Sequence, residues 1–195
     1  ISKTKKANMI EPFEAAYEVC SFLASHKIQH VVIGGLAVQI WGESRFTKDA
    51  DISIASPLTQ SPASLVTLIT KKFRSRAQDP LALAQSTRMV LITAGNGVEV
   101  DISLSLPGYE DSLFARAVEY EIESGKIIRL CSAEDLIIHK AVAGRPQDII
   151  DIQGVVDRQG DKLDVRYIRQ WLKEFSDALE TEEVIERFET LWRKK

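Results

Sequence analysis

Two segments of this 195-residue chain alternate strictly between acidic or small polar residues and apolar residues. They are KDADISIA at residues 48–55 and VEVDISLSL at residues 98–106. A period of two residues predicts β-strands with one buried face. The opposite face carries carboxylates, Asp49 and Asp51 in the first segment and Glu99 and Asp101 in the second. Stability alone does not require charges on that face, so these carboxylates are candidates for a chemical role.

The spacing of the carboxylates suits a divalent cation. Side chains two residues apart on a strand point the same way, with Cα atoms about 6.6–7 Å apart. Two such carboxylates can converge on one cation, or bridge two cations about 3.5–4 Å apart. If the two strands are neighbours, Asp101 joins Asp49 and Asp51 in a set whose oxygen-only ligands favour Mg²⁺ or Mn²⁺ over zinc. The alternative is an edge strand that carries acids on a solvated face.

Two consecutive glycines precede the first acidic segment. Gly34 and Gly35 follow the apolar run HVVI and lead into the helical pattern LAVQIW. The start of a helix offers free N–H groups and a dipole that favour an anion, and glycine lets a phosphate approach the backbone. A tight turn without a ligand is the alternative. The sequence contains neither a dinucleotide-binding nor a P-loop glycine motif, and no nucleophile elbow.

The remaining patterns predict an α+β fold. Helices are expected over 11–27, 61–73, 79–86 and 111–117, and Asn96-Gly97 is a strong hairpin signal between two strands. Two further short strands surround Ser124-Gly125. From Ser132 the chain is predicted to be entirely helical, with Ser132 and Asp135 as a cap and Gly144 as a stop. We therefore expect an α/β core over residues 1–130, with a mixed sheet flanked by helices, and a C-terminal helical region over residues 131–195.

Composition limits the classes of partner. The net charge of -3 and the pI of about 5.7 provide no general attraction to nucleic acid. A basic cluster, Lys71, Lys72, Arg74 and Arg76, is typical of a solvated face, with an RNA contact as the alternative. Cys20 and Cys131 are expected to be buried reduced thiols, and the first nine residues to be frayed. Because no membrane span, signal-peptide pattern or zinc spacing is found, we expect a cytoplasmic protein without a structural metal.

These features together resemble the nucleotidyltransferase superfamily, which has the polymerase-β-like fold. The resemblance lies in strand–Gly-Gly–helix, then RFTKDADI at residues 45–52, then a later strand with Asp101. Gly35 stands where that superfamily usually has serine, which removes one hydroxyl contact to phosphate. The Gly-Gly form is most similar to the AbiEii/AbiGii-type nucleotidyltransferases, the toxins of type IV toxin–antitoxin systems. The segment AEDLIIHKAVAGRPQDIIDI at residues 133–152 resembles a later motif of that group.

The resemblance implies a reaction and a set of residues. The reaction is metal-dependent transfer of a nucleoside monophosphate from an NTP to a hydroxyl of tRNA or protein, using Mg²⁺ or Mn²⁺. A cognate antitoxin is an implied partner, and a membrane is not. The implied metal ligands are Asp49, Asp51 and Asp101, with Lys140 and Asp148 as further catalytic residues. The implied nucleotide-binding residues are Gly34, Gly35, Arg45, Thr47 and Lys140.

Other interpretations of the same residues stay open. Lys140 lies among apolar residues and can reach solvent by extending its aliphatic stem. GRPQD can be a plain helix–helix junction, with Asp148 favouring a helix N-terminus. For the whole chain, the alternatives are an aminoglycoside-type nucleotidyltransferase, a non-catalytic nucleotide- or partner-binding module, and a purely structural role for the aspartates.

Overall fold

The computed structural model describes residues 3–56, 62–105 and 108–193, with side chains from residue 11 onward. The chain forms two compact units. The first comprises Ile1–Leu36 and Phe46–Leu130, and the second comprises Ala37–Arg45 and Cys131–Lys195. The short segment at 37–45 therefore belongs with the C-terminal helices.

The first unit contains a mixed sheet, in which the described residues form seven strands. The strands are β1 His30–Ile33, β2 Asp49–Ile54, β3 Arg74–Ser75, β4 Met89–Thr93, β5 Glu99–Leu104, β6 Val118–Glu123 and β7 Lys126–Leu130. Their order across the sheet is β3-β4-β5-β2-β1-β7-β6. The pairs β2–β5 and β1–β7 are parallel, and the other neighbours are antiparallel. The α+β class predicted from the sequence is confirmed.

The alternation in β2 and β5 separates a buried face from an accessible one. The apolar residues Ala50, Ile52, Val100 and Ile102 have no exposed surface. The acidic residues between them remain partly exposed. The predicted hairpin joins β4 to β5, where Gly97 has φ 87° and its N–H donates to the carbonyl of Ala94 at 3.0 Å. Burial of the apolar face thus fixes which side of each strand carries the carboxylates.

The helices of the first unit flank this sheet. They are α1 Lys3–Ser25, α3 Pro62–Lys72, α4 Pro80–Thr87 and α5 Tyr109–Arg116. The short α2 Gly34–Trp41 follows β1, and its residues from Ala37 onward belong to the second unit. The expectation of a frayed start is wrong, because α1 begins at Lys3 and contains Pro12 in its interior. Lysine, alanine and methionine in this segment favour a helix, which extends it toward the N-terminus. Pro57 and Pro62 predict a turn between them, which lies mainly on residues 57–61, outside the described residues.

The C-terminal part of the second unit is helical, as predicted. Its helices are α6 Ala133–Ala143, α7 Pro146–Gln159, α8 Val165–Ala178 and α9 Glu183–Trp192. The Ser132 hydroxyl accepts the Asp135 N–H at 3.1 Å, and Gly144 ends α6 in the left-handed conformation with φ 64°. Both capping predictions are therefore confirmed.

Two expectations about the whole chain can be compared with the structure. Both cysteines are free and buried, as expected, and burial raises the pKa of the Cys20 thiol to about 12. None of the helices in the described part of the chain is both long and apolar enough to span a membrane.

Candidate active site

The parallel pairing of β2 with β5 brings the acidic residues together. Asp51 lies opposite Asp101, and Asp49 lies opposite Glu99. Residues paired across parallel strands project to the same face, with their backbones about 4.8 Å apart. The three predicted carboxylates, Asp49, Asp51 and Asp101, therefore share one face of two adjacent strands. We call Asp49, Asp51, Glu99 and Asp101 the acidic face.

Thr47 orients the first of these carboxylates. Its hydroxyl donates to Oδ1 of Asp49 at 2.7 Å, and the residue is buried. A Cβ atom at Gly35 would lie 2.9 Å from the Cβ of Thr47. The absence of a side chain at Gly35 therefore lets Thr47 approach the start of α2. This contact gives a local reason for glycine where the related superfamily usually has serine.

Gly34 makes a similarly close approach to Asp51. A Cβ atom at Gly34 would overlap the carboxylate, lying 2.6 Å from its Cγ. Gly34 also has φ 65°, a conformation that side-chain-bearing residues rarely adopt. The strand–helix junction and the second aspartate are thus in direct contact. Two parts of the site that are 17 positions apart in sequence meet within the first unit.

Arg76 holds the acidic residues of β5. Two terminal N–H groups of its guanidinium donate hydrogen bonds, one to Asp101 Oδ1 and one to Glu99 Oε2 at 2.9 Å. Its Nε–H donates to the Ile92 carbonyl at 3.1 Å. Arg76 was expected in a solvated basic cluster; this expectation is wrong, since its side chain is only 23% exposed. The pairing of Arg76 with Asp101 was not predicted, because nothing in the spacing between the two residues indicates it.

The donor chemistry of the acidic face suits a metal bound by two carboxylates. Among the described residues, no group of three or more His, Cys, Asp and Glu side chains is arranged to hold a metal ion. Arg76 engages Asp101, and Asp49 and Asp51 lie on the same side of β2. Mg²⁺ commonly takes one or two carboxylates and completes its shell with water and substrate phosphates. Asp49 and Asp51 fit that requirement.

The remaining predicted residues meet in the second unit. Lys140 Nζ lies 2.7 Å from Asp148 Oδ1 and 2.8 Å from Asp151 Oδ2. Arg45 donates to both oxygens of Asp151, at 2.8 and 3.0 Å. We call Arg45, Lys140, Asp148 and Asp151 the charge network. Two cations and two carboxylates are thereby brought into contact on α6, α7 and the segment at 37–45.

The charge network is largely buried and strongly paired. The Lys140 side chain is 12% exposed, and its ammonium group is paired with the carboxylates of Asp148 and Asp151. The alternative that Lys140 extends its aliphatic stem to place the ammonium group in solvent is therefore wrong. Asp148 Oδ2 also accepts the N–H of Arg145 at 3.1 Å, which caps α7. Burial raises the pKa of Asp151, but hydrogen bonds from Arg45, Lys140 and Gln147 outweigh it and leave that pKa below the ordinary value.

Asp151 is the member of the network that sequence analysis missed. It lies three residues after Asp148, so both carboxylates occupy the same face of α7. That spacing was the available signal. The structure thus gathers Gly34, Gly35, Thr47, Asp49, Asp51 and Asp101 in the first unit, and Arg45, Lys140 and Asp148 in the second.

The fold is that of a nucleotidyltransferase. It is similar to an antigenic nucleotidyltransferase-like protein from Paracoccidioides brasiliensis, at 17% identity and a TM-score of 0.52 over 85% of this chain and 88% of that one. It is also similar to the antibiotic-resistance factor ANT(2'')-Ia, at 15% identity and a TM-score of 0.54 over 92% of this chain and 97% of that one. At these identities the similarity concerns the fold alone.

Sequence comparison then identifies the family. The family described as "Nucleotidyl transferase of unknown function (DUF2204)" matches residues 12–190. The chain therefore belongs to this nucleotidyl transferase family. No curated protein matches the sequence.

Proposed function

We propose that this protein transfers a nucleoside monophosphate from an NTP to a hydroxyl acceptor and releases pyrophosphate. The observation that carries the proposal is the in-register pairing of Asp51 with Asp101, beside the contact of Asp51 with Gly34. This arrangement places carboxylates next to a strand–helix junction at which backbone N–H groups can receive phosphate. Membership of a nucleotidyl transferase family supports the same reaction class.

Asp49 and Asp51 are the proposed ligands of Mg²⁺ or Mn²⁺. When bound, the ion would neutralise the triphosphate and stabilise the charge that develops on the leaving pyrophosphate. Thr47 fixes the orientation of Asp49 through its 2.7 Å hydrogen bond. The chain itself supplies chiefly positioning and charge compensation, which are the main contributions of a protein to phosphoryl transfer.

The other residues of the first unit have proposed roles in the bond changes of this reaction. The acceptor oxygen forms a bond to the α-phosphorus while the bond from that phosphorus to pyrophosphate breaks. Asp101 accepts the proton that the acceptor hydroxyl loses. Gly34 and Gly35 bring backbone N–H groups close to the phosphates, without the hydroxyl that a serine at Gly35 would add.

The roles of Lys140, Asp148 and Arg45 follow from the family resemblance. Lys140 is proposed to face the nucleotide phosphates, and Arg45 to flank the nucleotide. Asp148 holds Lys140 at 2.7 Å, and Asp151 holds both cations. These pairings fix the directions of two long side chains in advance, which lowers the entropy cost of binding.

The proposed acceptor is a hydroxyl of tRNA or of a protein, in the manner of a type IV toxin with a cognate antitoxin. A small-molecule acceptor of the aminoglycoside type is the second candidate. It is favoured by the similarity of fold to the antibiotic-resistance factor ANT(2'')-Ia, over 92% of this chain. A panel of acceptors distinguishes the two candidates.

The test is label transfer from each α-³²P-labelled NTP in the presence of Mg²⁺. Total tRNA, a protein lysate and aminoglycosides are offered separately as acceptors. We expect transfer to one acceptor class, and a loss of about 10³-fold or more in Asp49→Ala and Asp51→Ala, because losing the metal removes several kcal/mol of transition-state stabilisation.

The matched control is Glu119→Ala, which removes an exposed acid from strand β6 of the same sheet. It should retain wild-type transfer, and circular dichroism should show that all three variants are folded. Wild-type transfer by either aspartate variant would contradict the proposal. Binding of Mg·NTP without any turnover would instead indicate a non-catalytic nucleotide-binding module.

A further inference from the structure

The acidic face concentrates negative charge on two neighbouring strands. Asp51 is paired with Asp101, and Asp49 with Glu99, so four carboxylates occupy adjacent positions. Like charges placed opposite each other on neighbouring strands destabilise a sheet unless a cation compensates them. On β5 that cation is Arg76, whose two terminal nitrogens contact Glu99 and Asp101.

Arg76 is anchored before it reaches these carboxylates. Its backbone N–H donates to the carbonyl of Leu91 at 2.9 Å, and its Nε donates to that of Ile92 at 3.1 Å. Both carbonyls belong to β4, and Leu91 is the residue paired with Asp101 across β4 and β5. The guanidinium is therefore held in position by the sheet itself, and its planar fork matches two acceptors on one strand face.

We propose that Arg76 is a resident counter-ion that keeps Asp101 out of metal coordination, so that the metal is bound through Asp49 and Asp51 alone. This inference rests on the proposed function, because it takes Asp49 and Asp51 as the metal ligands. Because its guanidinium contacts Asp101 Oδ1, Arg76 competes with a metal ion for this carboxylate. Asp101 then stays available as the proton acceptor, and Arg76 acts as a positioning residue.

The test measures metal binding directly. Purified protein is titrated with Mn²⁺, and free Mn²⁺ is followed by its electron paramagnetic resonance signal. We expect Arg76→Gln to bind Mn²⁺ about tenfold more tightly than wild type. An adjacent positive charge lowers the affinity of a carboxylate for a proton by a factor of this size or more, and its effect on a metal ion has the same sign. A residue with only a structural role would not increase metal affinity when it is replaced.

Three variants make the measurement specific. Arg74→Gln removes the same charge from an exposed position two residues away and should leave Mn²⁺ affinity within about twofold of wild type, since exposed charges are screened. Adding Asp101→Asn to Arg76→Gln should abolish the gain. Arg76→Lys keeps the charge but loses the fork, and should give a smaller gain; it also provides the comparison if Arg76→Gln does not fold.

The outcomes separate this inference from the proposed function. If wild type binds Mn²⁺ and Asp49→Asn does not, while Arg76→Gln binds no more tightly than wild type, the inference is wrong and the metal site stands. A gain that persists without Asp101, or that Arg74→Gln reproduces, also overturns the inference. If neither wild type nor Arg76→Gln binds Mn²⁺, both the inference and the metal-dependent proposal fail.

Discussion

At the scale of single residues, Gly34 links the backbone of the site to its chemistry. The chain passes from β1 into α2 at this residue with φ 65°, and the Asp51 carboxylate occupies the space that a side chain would take. Backbone strain and steric overlap therefore act at the same position. Glycine is the residue that satisfies both constraints.

Gly34→Ala should consequently both destabilise the protein and displace Asp51. The left-handed conformation costs alanine about 1–2 kcal/mol, and the overlap with Asp51 adds to that cost. We expect the free energy of unfolding to fall by about 3 kcal/mol in urea titrations, with loss of nucleotidyl transfer.

The control for this substitution is Gly97→Ala. Gly97 has φ 87° in the β4–β5 hairpin, and a Cβ atom there would meet nothing within 4 Å. It therefore reports the backbone strain without the steric overlap. Equal losses of stability in the two variants, with transfer intact in Gly34→Ala, would show that the Asp51 contact is unimportant.

At the scale of elements, the charge network connects α6 to α7. Asp151 accepts hydrogen bonds from Arg45 and Gln147, and its Oδ2 lies 2.8 Å from Lys140 Nζ, although its side chain is only 2% exposed. Removing one partner of a buried ion pair leaves the other charge uncompensated. The helices that bear Lys140 and Asp151 should therefore depend on this carboxylate.

Asp151→Asn should lower the free energy of unfolding by about 3 kcal/mol at neutral pH. Because the pKa of Asp151 is lowered in the folded protein, its contribution is present above the unfolded carboxyl pKa of about 3.9 and is lost as the pH falls through the lowered folded value. Wild type should therefore lose more stability than Asp151→Asn as the pH falls below about 4. Urea titrations across this range measure the difference.

Asp157→Asn is the matched control, because Asp157 is an exposed acid on the same helix. It should change stability by about 0.5 kcal/mol or less. If Asp151→Asn behaved like Asp157→Asn at neutral pH, the charge network would have no stabilising role.

At the scale of the whole molecule, nucleotide binding should appear as a change in thermal stability. A ligand that binds the folded chain alone stabilises it by about 2.7 kcal/mol at one hundred times its dissociation constant. For a chain of this size, that corresponds to an increase in Tm of about 5–10 °C. We expect this increase with Mg²⁺ and a non-hydrolysable NTP analogue, measured by differential scanning calorimetry.

Asp51→Asn should abolish the increase if the metal bridges protein and triphosphate as proposed. NTP analogues that carry each of the four bases are compared, since the base preference of the site decides which analogue saturates it. An unchanged Tm of the wild-type protein with every analogue would contradict nucleotide binding at this site.

Short-range sequence patterns were sufficient to predict most of the fold. Strands β2 and β5 follow from their two-residue alternation, because burial of one face requires it. The β4–β5 hairpin follows from Asn96-Gly97, and the limits of α6 follow from Ser132 and Gly144. In each case the physical cause lies within a few residues of the feature, so the sequence contains it directly. Helix α1 begins before the predicted segment, because several of the residues that precede Glu11 favour a helix.

The site was predictable in part. The sequence by itself determined that carboxylates alternate with a buried face and that glycines stand between a strand and a helix, because side-chain period and backbone freedom are local properties. Only the tertiary structure decided that Asp51 lies beside Asp101 and against Gly34. It also decided that Arg76 holds Asp101 and that Asp151 holds Lys140 and Arg45. These pairings depend on strand order and helix packing, which are set by burial summed over the chain rather than by any one segment.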